Sequence, residues 1–278
     1  MSGRRVKISD VWDRTVAVLH GRAGILAWIA VLFILVPGVA GNAVTAFAGT
    51  APGPRFLGGL VGLAVTVLLL IGLLAITAVA SDPAIDRATG VKIGLRRLGP
   101  VLACIVVMML AVVLVILPLS YIVFSSGATY NAATGRIQIE NASAGGVALA
   151  GLLSIFLMLA GLWLSARLAP LFAVVVNERL GVRAIVRSFA LTRGATLRLI
   201  GVMILYLVVL GVLFIAVTSV LGVVAGLLLD GDATATKAFV VAVVGTVLTT
   251  VTSTVQMAFY AQYYVAARAD DGVAHAAA

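Results

Sequence analysis

Long apolar runs separated by short polar ones set the pattern of this chain. Six runs reach the about 20 residues that a helix needs to span a bilayer, at 24–47, 58–80, 100–124, 146–168, 197–228 and 238–265. The last two exceed that minimum, which leaves them room to tilt or to project beyond the hydrocarbon. The first run ends in Ala46-Phe47-Ala48, which resembles a signal-peptide cleavage site. Its apolar stretch nevertheless outlasts the ~7–15 residues of a signal-peptide core, so it reads as a retained membrane helix. The expected fold class is all-α: a polytopic membrane protein with one integral membrane domain over 1–278 and a flexible tail at 269–278.

The polar segments have a helical period of their own. Within 182–193, Val182, Ile185, Val186 and Phe189 recur at i, i+3, i+4 and i+7, while Arg179, Arg183 and Arg187 repeat every fourth residue on the other side, and Gly194 supplies a stop. In 90–99, Val91, Leu95 and Leu98 oppose Lys92 and Arg96 ahead of Gly99-Pro100. Near the N-terminus Ser9 is placed to cap a helix with Asp10 and Asp13 in its first turn, Val11, Thr15, Val18 and Leu19 on its apolar side, and Gly21 at its end. Each segment predicts a short amphipathic helix lying in the membrane interface.

These segments also repeat. "DRATGVK" (86–92) and "ERLGVR" (178–183) share an acid-Arg pair followed by Gly-Val-basic, and "RTVAVLHG" (14–21) matches "RSFALTRG" (187–194) as Arg-hydroxyl closing in glycine. The expected architecture is three repeated hairpins of membrane helices, over approximately 6–80, 86–176 and 178–268, each preceded by an interfacial helix. The outer connections are unequal: 48–57 is turn-rich, 125–145 suggests a small hairpin through "RIQIE", and 229–237 reads as a solvated acidic turn. Its Asp-Gly-Asp lacks the remaining ligands of a calcium loop.

Composition confirms the solvent. The chain is 63% hydrophobic and 10% charged, against about 25% charged in soluble domains. A net charge of +9 raises the question of nucleic acid, and the placement of the charge answers it. Segments 1–22, 81–99, 167–198 and 266–278 carry sixteen of the nineteen basic residues, leaving Arg55, Arg136 and Lys237 to the intervening loops. By the bias of Lys and Arg toward the inside, both termini face the cytoplasm. No aromatic-basic platform accompanies the charge, so no nucleic-acid partner is expected. The Arg-, Ala- and Gly-rich usage suggests a GC-rich bacterial genome, and hence the bacterial inner membrane.

Candidate chemistry is sparse. Cys104 is the only cysteine and falls in an apolar run, which excludes a disulfide framework within the chain. His20 and His275 have no ligand-like neighbours, and none of the ten acids lies within an expected span. No hydrolase, zinc-protease or phosphate-loop fingerprint is present. We expect no enzyme activity, no cofactor and no metal. Two sets of residues stand out: Arg96, Arg97, Arg179, Arg183, Arg187 and Arg193 as contacts for anionic lipid or a partner, and Thr246, Thr250, Ser253, Gln256 and Tyr260 as a polar stripe on the sixth span. Such a stripe either lines a path or hydrogen-bonds between helices. Gly58/Gly62 and Gly222/Gly226 are spaced for close helix approach, Pro37-Gly38 and Pro118 for kinks or helix ends, and Arg167 for snorkelling. Glu178, an acid among many bases, is expected to pair with an arginine, with "DRATGVK" one source.

The stretch "RLAPLFAVVVNERLGVRAIVRSFALTRGATLRL" (167–199), the ending "MAFYAQYYVAAR" (257–268) and the opening "ISDVWDRTVAVLHG" (8–21) resemble the glycerophosphoryl diester phosphodiesterase membrane-domain family. The resemblance implies the membrane-domain fold. It does not imply hydrolysis, because the soluble barrel that carries the metal-binding acids and paired histidines in some relatives has no counterpart in these residues. The expected function is non-enzymatic: binding or organising anionic inner-leaflet lipids, or scaffolding a membrane complex or homo-oligomer. The alternatives are a small transporter or channel along the sixth span and a membrane enzyme acting on lipid headgroups.

Overall fold

A computed structural model describes residues 6–47, 52–125, 129–131, 136–138, 144–228 and 234–276. The described residues are all-α apart from one small hairpin, and six helical stretches among them are long and apolar enough to cross a membrane. It opens with α1 (Ile8–Gly21), whose buried side is Val11 and Thr15. Ser9 is not the cap: Lys7 precedes the helix, and the Ser9 hydroxyl donates to Asp10 within the first turn.

The first long stretch is α2 (Ala23–Ala30), a π-helical turn (Val31–Leu35) and α3 (Val36–Phe47). Pro37 lacks an N–H and crowds the carbonyl four residues back. The helix answers by widening into the π turn rather than ending. Next come α4 (Pro52–Ser81) and α5 (Arg87–Ser125). Asp86 caps α5 by accepting the Thr89 N–H at 2.9 Å, and hydrogen bonds from Thr89 hold its carboxyl below the usual carboxylate range.

Segment 90–99 forms no separate helix; it is the first part of α5, which runs on through Pro100 and Pro118. The reason is packing. α4 and α5 form the most extensive helix pair of the fold, and they meet through Gly90 and Gly94. A Cβ on Gly94 would lie 2.7 Å from the Ile71 carbonyl oxygen. The pairs singled out by their spacing behave differently: Gly62, Gly222 and Gly226 have nothing within 4 Å of such a Cβ, and Gly58 has only an ordinary contact with Val44.

Beyond α5, β1 (Thr129–Asn131) pairs antiparallel with β2 (Arg136–Gln138), with Tyr130 opposite Ile137, which is the expected hairpin. The expectations for 48–51 and 229–233 lie outside the described residues, while 52–57 and 234–237, expected as loop, open α4 and α10. α6 (Ala144–Leu168) leads to α7 (Leu171–Glu178), a two-turn helix whose Ala173–Val176 run is buried. Its apolar run is too short for a span, and Pro170 and Arg179 bound it. A 3-10 turn (Gly181–Arg183) and α8 (Ala184–Leu191) follow, then α9 (Thr196–Leu228) and α10 (Thr234–Ala276). The segment expected as a tail after 268 continues α10 to Ala276.

The core sits toward one end. It joins α1, α7 and α8 to the second halves of α4 and α10 and the first part of α5, around Leu74, Val101, Val174, Tyr263 and Tyr264. Leu26, Ile29, Ile34 and Ile76 form an adjoining cluster. At the other end α3 and α10 stay in contact, with Phe47 against Phe239. The most apolar stretches of α6 and α9 bury none of their residues against protein, so their outward side chains need a hydrocarbon environment.

Candidate functional site: the arginine layer at the packed end

Helix ends create the demand that most of this layer meets. The last four carbonyls of a helix lack partners inside it. At the end of α4, Ala78 O accepts the Asp82 N–H, Val79 O accepts Arg22, and Ala80 O accepts the Gln262 side-chain amide at 2.6 Å. Arg22 goes further. Its two terminal nitrogens reach the carbonyls of Val79, Asp82, Pro83 and Ile85 at 2.5–2.9 Å, fixing the whole α4–α5 connection. The sequence marked Arg22 only as one basic residue among many, and no local pattern distinguishes it.

The stretch 167–199 solves the same problem at α6 and α8. Ser188 donates to the Arg167 carbonyl at 2.8 Å, tying α8 to the end of α6. The four terminal carbonyls of α8 all find donors: Ser188 O the Thr192 N–H, Phe189 O the Arg167 guanidinium, Ala190 O the Arg193 N–H, and Leu191 O the Tyr263 hydroxyl. Arg167 therefore neither simply snorkels nor turns to the sixth span. It caps α8, and its guanidinium carbon lies 5.2 Å and 5.9 Å from the ring centres of Trp163 and Phe189. The "RSFALTRG" element encodes this joint: Ser188 and Thr192 are fully buried, and Gly194 turns the chain with φ +84°.

Glu178 pairs with Arg187, at 3.0 Å, and not with the "DRATGVK" segment. It also accepts the Tyr264 hydroxyl at 3.1 Å, and Arg268 lies within electrostatic reach of Tyr264. The network clamps α7 to α8 and α10. Its side chains are 16% and 29% exposed, so solvent screens the pair in part.

We expect Gly194→Val to lower stability by about 2 kcal/mol, the scale of forcing a side chain into left-handed backbone, since no neighbour obstructs the new Cβ. Glu178→Gln keeps an acceptor for Tyr264 and is expected to cost about 1 kcal/mol. Folded yield and thermal unfolding in detergent measure both. A harmless Gly194→Val, beside a Glu178→Gln protein that folds normally but loses a hydrolytic activity, would make Glu178 a reacting group instead.

The other candidate arginines divide. Arg97 is partly buried within electrostatic reach of Arg96 and Arg179, and among the described residues no carboxylate pairs with the three. Arg179 also holds left-handed backbone, φ +57°. Arg183 and Arg193 are exposed. Large apolar side chains stand exposed in the same layer, namely Trp12, Leu95, Leu180, Val182, Val186 and Leu197.

The α10 stripe does not form one continuous lining. Thr246 accepts the Asn42 side-chain amide at 2.7 Å, joining α3 to α10 beside an apolar cavity of about 840 Å³ with Lys237 in its wall. Thr250 is buried and its hydroxyl bonds the Thr246 carbonyl of its own helix. Ser253 is partly buried. Gln256 donates to Tyr260 at 2.8 Å, and this pair lines a separate crevice next to Trp12 and Phe259. Asn42, a polar residue within the first apolar run, carries the interhelical bond and drew no notice in the sequence.

Among the described residues no group of histidine, cysteine, aspartate and glutamate could hold a metal ion. Six candidate spans and an all-α bundle with a basic packed end are the build of a multi-pass membrane protein. Comparison with known protein families, curated proteins and solved structures gives no match to the chain.

Proposed function

We propose that the chain is a non-enzymatic multi-pass protein of a bacterial inner membrane. Its arginine-bearing end rests on the anionic cytoplasmic leaflet, where it binds or organises lipids or anchors a membrane complex. The observation that carries this reading is the arginine layer itself: cations without acidic partners stand among exposed large apolar side chains, the mixture that suits a water–lipid boundary. Near an anionic surface each such cation contributes about 1 kcal/mol, weakened by salt.

The finer architecture belongs to the same proposal. The chain is three hairpin units at approximately 6–80, 86–176 and 178–268, with α1 and α8 as equivalent interfacial helices and the start of α5, continuous with its span, at the matching position of the middle unit. Two parallels support it: Asp86-Arg87 opens one unit and Glu178-Arg179 another, and Thr15 and Ser188, at matching positions of their motifs, are both fully buried. The likeness of 8–21, 167–199 and 257–268 to the glycerophosphoryl diester phosphodiesterase membrane domain supports it as well.

In a Cys104→Ala background, single cysteines at 87, 183 and 268 are expected to label from the cytoplasmic side, and those at 55, 136 and 237 from the opposite side. Cytoplasmic labelling of 136 would sink the six-span topology. Reversing Arg183 and Arg193 to Glu is expected to weaken association with anionic vesicles by about 2 kcal/mol per site at low salt, against little change for Lys237→Glu. Equal effects at all three positions would remove the inner-leaflet role.

A further inference from the structure

We propose that a single anionic phospholipid binds against α5, its phosphate held by Arg97 and Arg179 with Arg96 adjacent, and one acyl chain in the apolar groove above them. This rests on the lipid-binding reading and names a site for it. Three observations bear on this stretch of α5. First, Arg97 is partly buried within electrostatic reach of Arg96 and Arg179, and among the described residues none of the three pairs with a carboxylate. A phosphate group supplies several acceptor oxygens that guanidinium forks grip well.

Second, the loop carrying Arg179 is seated on α5. The Cys104 thiol donates to the Gly181 carbonyl at 3.4 Å, and the left-handed backbone of Arg179 and Gly181, φ +57° and +56°, turns the chain there. Strained backbone at a charged, non-glycine residue is a feature that ligand sites share. Third, a groove of about 480 Å³ begins at Cys104 and follows α5 past Met108 to Val112, opposite Phe172 and Tyr260. Arg97, Cys104 and Met108 are spaced seven and four residues apart, which places them along one face of the helix. Arg97 therefore stands about 10 Å below Cys104 along the axis, beyond the near end of the groove, with Val101 buried between them.

The groove wall suits an acyl chain. Met108, Met109 and Met257 supply unbranched side chains that adapt to a flexible occupant. Ile105 and Met109 are exposed, so the groove opens toward the bilayer and a chain can enter from the side. A free anion would use the arginines and leave the groove unused.

The test is native mass spectrometry of the detergent-purified protein titrated with dioleoyl phosphatidylglycerol, with dioleoyl phosphatidylcholine in parallel. A one-to-one adduct selective for phosphatidylglycerol is expected. Arg97→Gln combined with Arg179→Gly, which keeps the left-handed backbone, is expected to weaken it about tenfold or more, the scale of a lost charge-assisted hydrogen bond. Met108→Trp, which fills the groove, is expected to weaken it similarly, while Arg193→Gln leaves it unchanged. Thermal unfolding of each variant confirms that it is folded.

Unchanged binding by the folded Arg97/Arg179 variant overturns the site. So does an adduct that inorganic phosphate displaces and Met108→Trp ignores, which would indicate a free-anion site. A protein dimer that Met108→Trp abolishes, with no lipid adduct, would make the groove an interface between copies. An anionic-lipid preference that follows Arg183 and Arg193 but not Arg97 and Arg179 would overturn this site and leave the broader lipid-binding reading standing. Absence of any preference for phosphatidylglycerol in the unmodified protein would remove both.

Discussion

Arg22→Ala is expected to destabilise the folded protein by about 3 kcal/mol, the largest effect of any single charge removal in the chain. Hydrogen bonds to charged groups contribute about 1.5–3 kcal/mol each, and Arg22 makes four, to Val79, Asp82, Pro83 and Ile85. They share one side chain, and the bonds to Asp82 and Pro83 are exposed, so the sum is far below four times that figure. What remains after truncation is the cost of the partly buried Val79 and Ile85 carbonyls left without donors. Arg22→Lys should recover only part of it, because a single ammonium cannot span four carbonyls. Unfolding in a denaturing detergent titration, with exposed Arg193→Ala as comparison, measures the difference. An Arg22→Ala protein as stable as the Arg193→Ala protein would show that the α4–α5 connection does not need its clamp.

Gly94→Val should have a comparable or larger effect for a different reason. The new Cβ would stand 2.7 Å from the Ile71 carbonyl oxygen and 3.4 Å from the Ala75 nitrogen, and both are backbone atoms that no rotamer change can move. Overpacking of this kind typically costs about 1–3 kcal/mol, occasionally more, and here it would part the two helices that pair most extensively. The valine variant is expected to lose most of its monodisperse yield, and Gly94→Ala to fall between it and the parent. Gly222→Ala supplies the contrast. With open space around it, the change is expected to be neutral or to stabilise α9 by about 0.5–1 kcal/mol through helix propensity alone. Equal tolerance at 94 and 222 would mean that α4 and α5 do not approach as closely as described.

This contrast also shows where sequence reasoning reaches its limit. Hydropathy placed all six long apolar stretches, because spanning length follows from composition alone. It did not say which faces meet. Gly222 and Gly226 have the spacing of a packing motif and face open space, whereas Gly90 and Gly94, inside a segment taken for a surface helix, make the close approach. A glycine looks the same in sequence whether lipid or a neighbouring backbone lies beside it. The amphipathic period of 182–193 was legible, but the buried face of α8 is Ala184, Ser188 and Leu191, while Val186 is exposed. In an aqueous protein the larger apolar residue would take the inside. Beside a membrane both sides can be apolar, and hydroxyls go inward to satisfy helix ends. Arg22, Asn42 and Gln262 escaped for the same cause, and Arg167 was legible only as a snorkelling residue, since each answers a backbone or side-chain demand distant in sequence or in another helix.

The location of the core has a consequence for how such a chain comes into being. Val11 and Thr15 of α1 are buried in a fold whose centre is completed by Ala258, Ala261, Tyr263 and Tyr264 of α10. More than two hundred residues separate these partners, and at about 5–20 residues per second a ribosome needs tens of seconds to cross that interval. For all that time α1 has no permanent seat; the Ala80 carbonyl of α4 waits nearly as long for Gln262, and the Leu191 carbonyl of α8 a shorter while for Tyr263, 72 residues on. An early segment with one charged face and one apolar face can spend that interval at the membrane surface instead of in water. On this view its amphipathic character serves the nascent chain before it serves the finished protein.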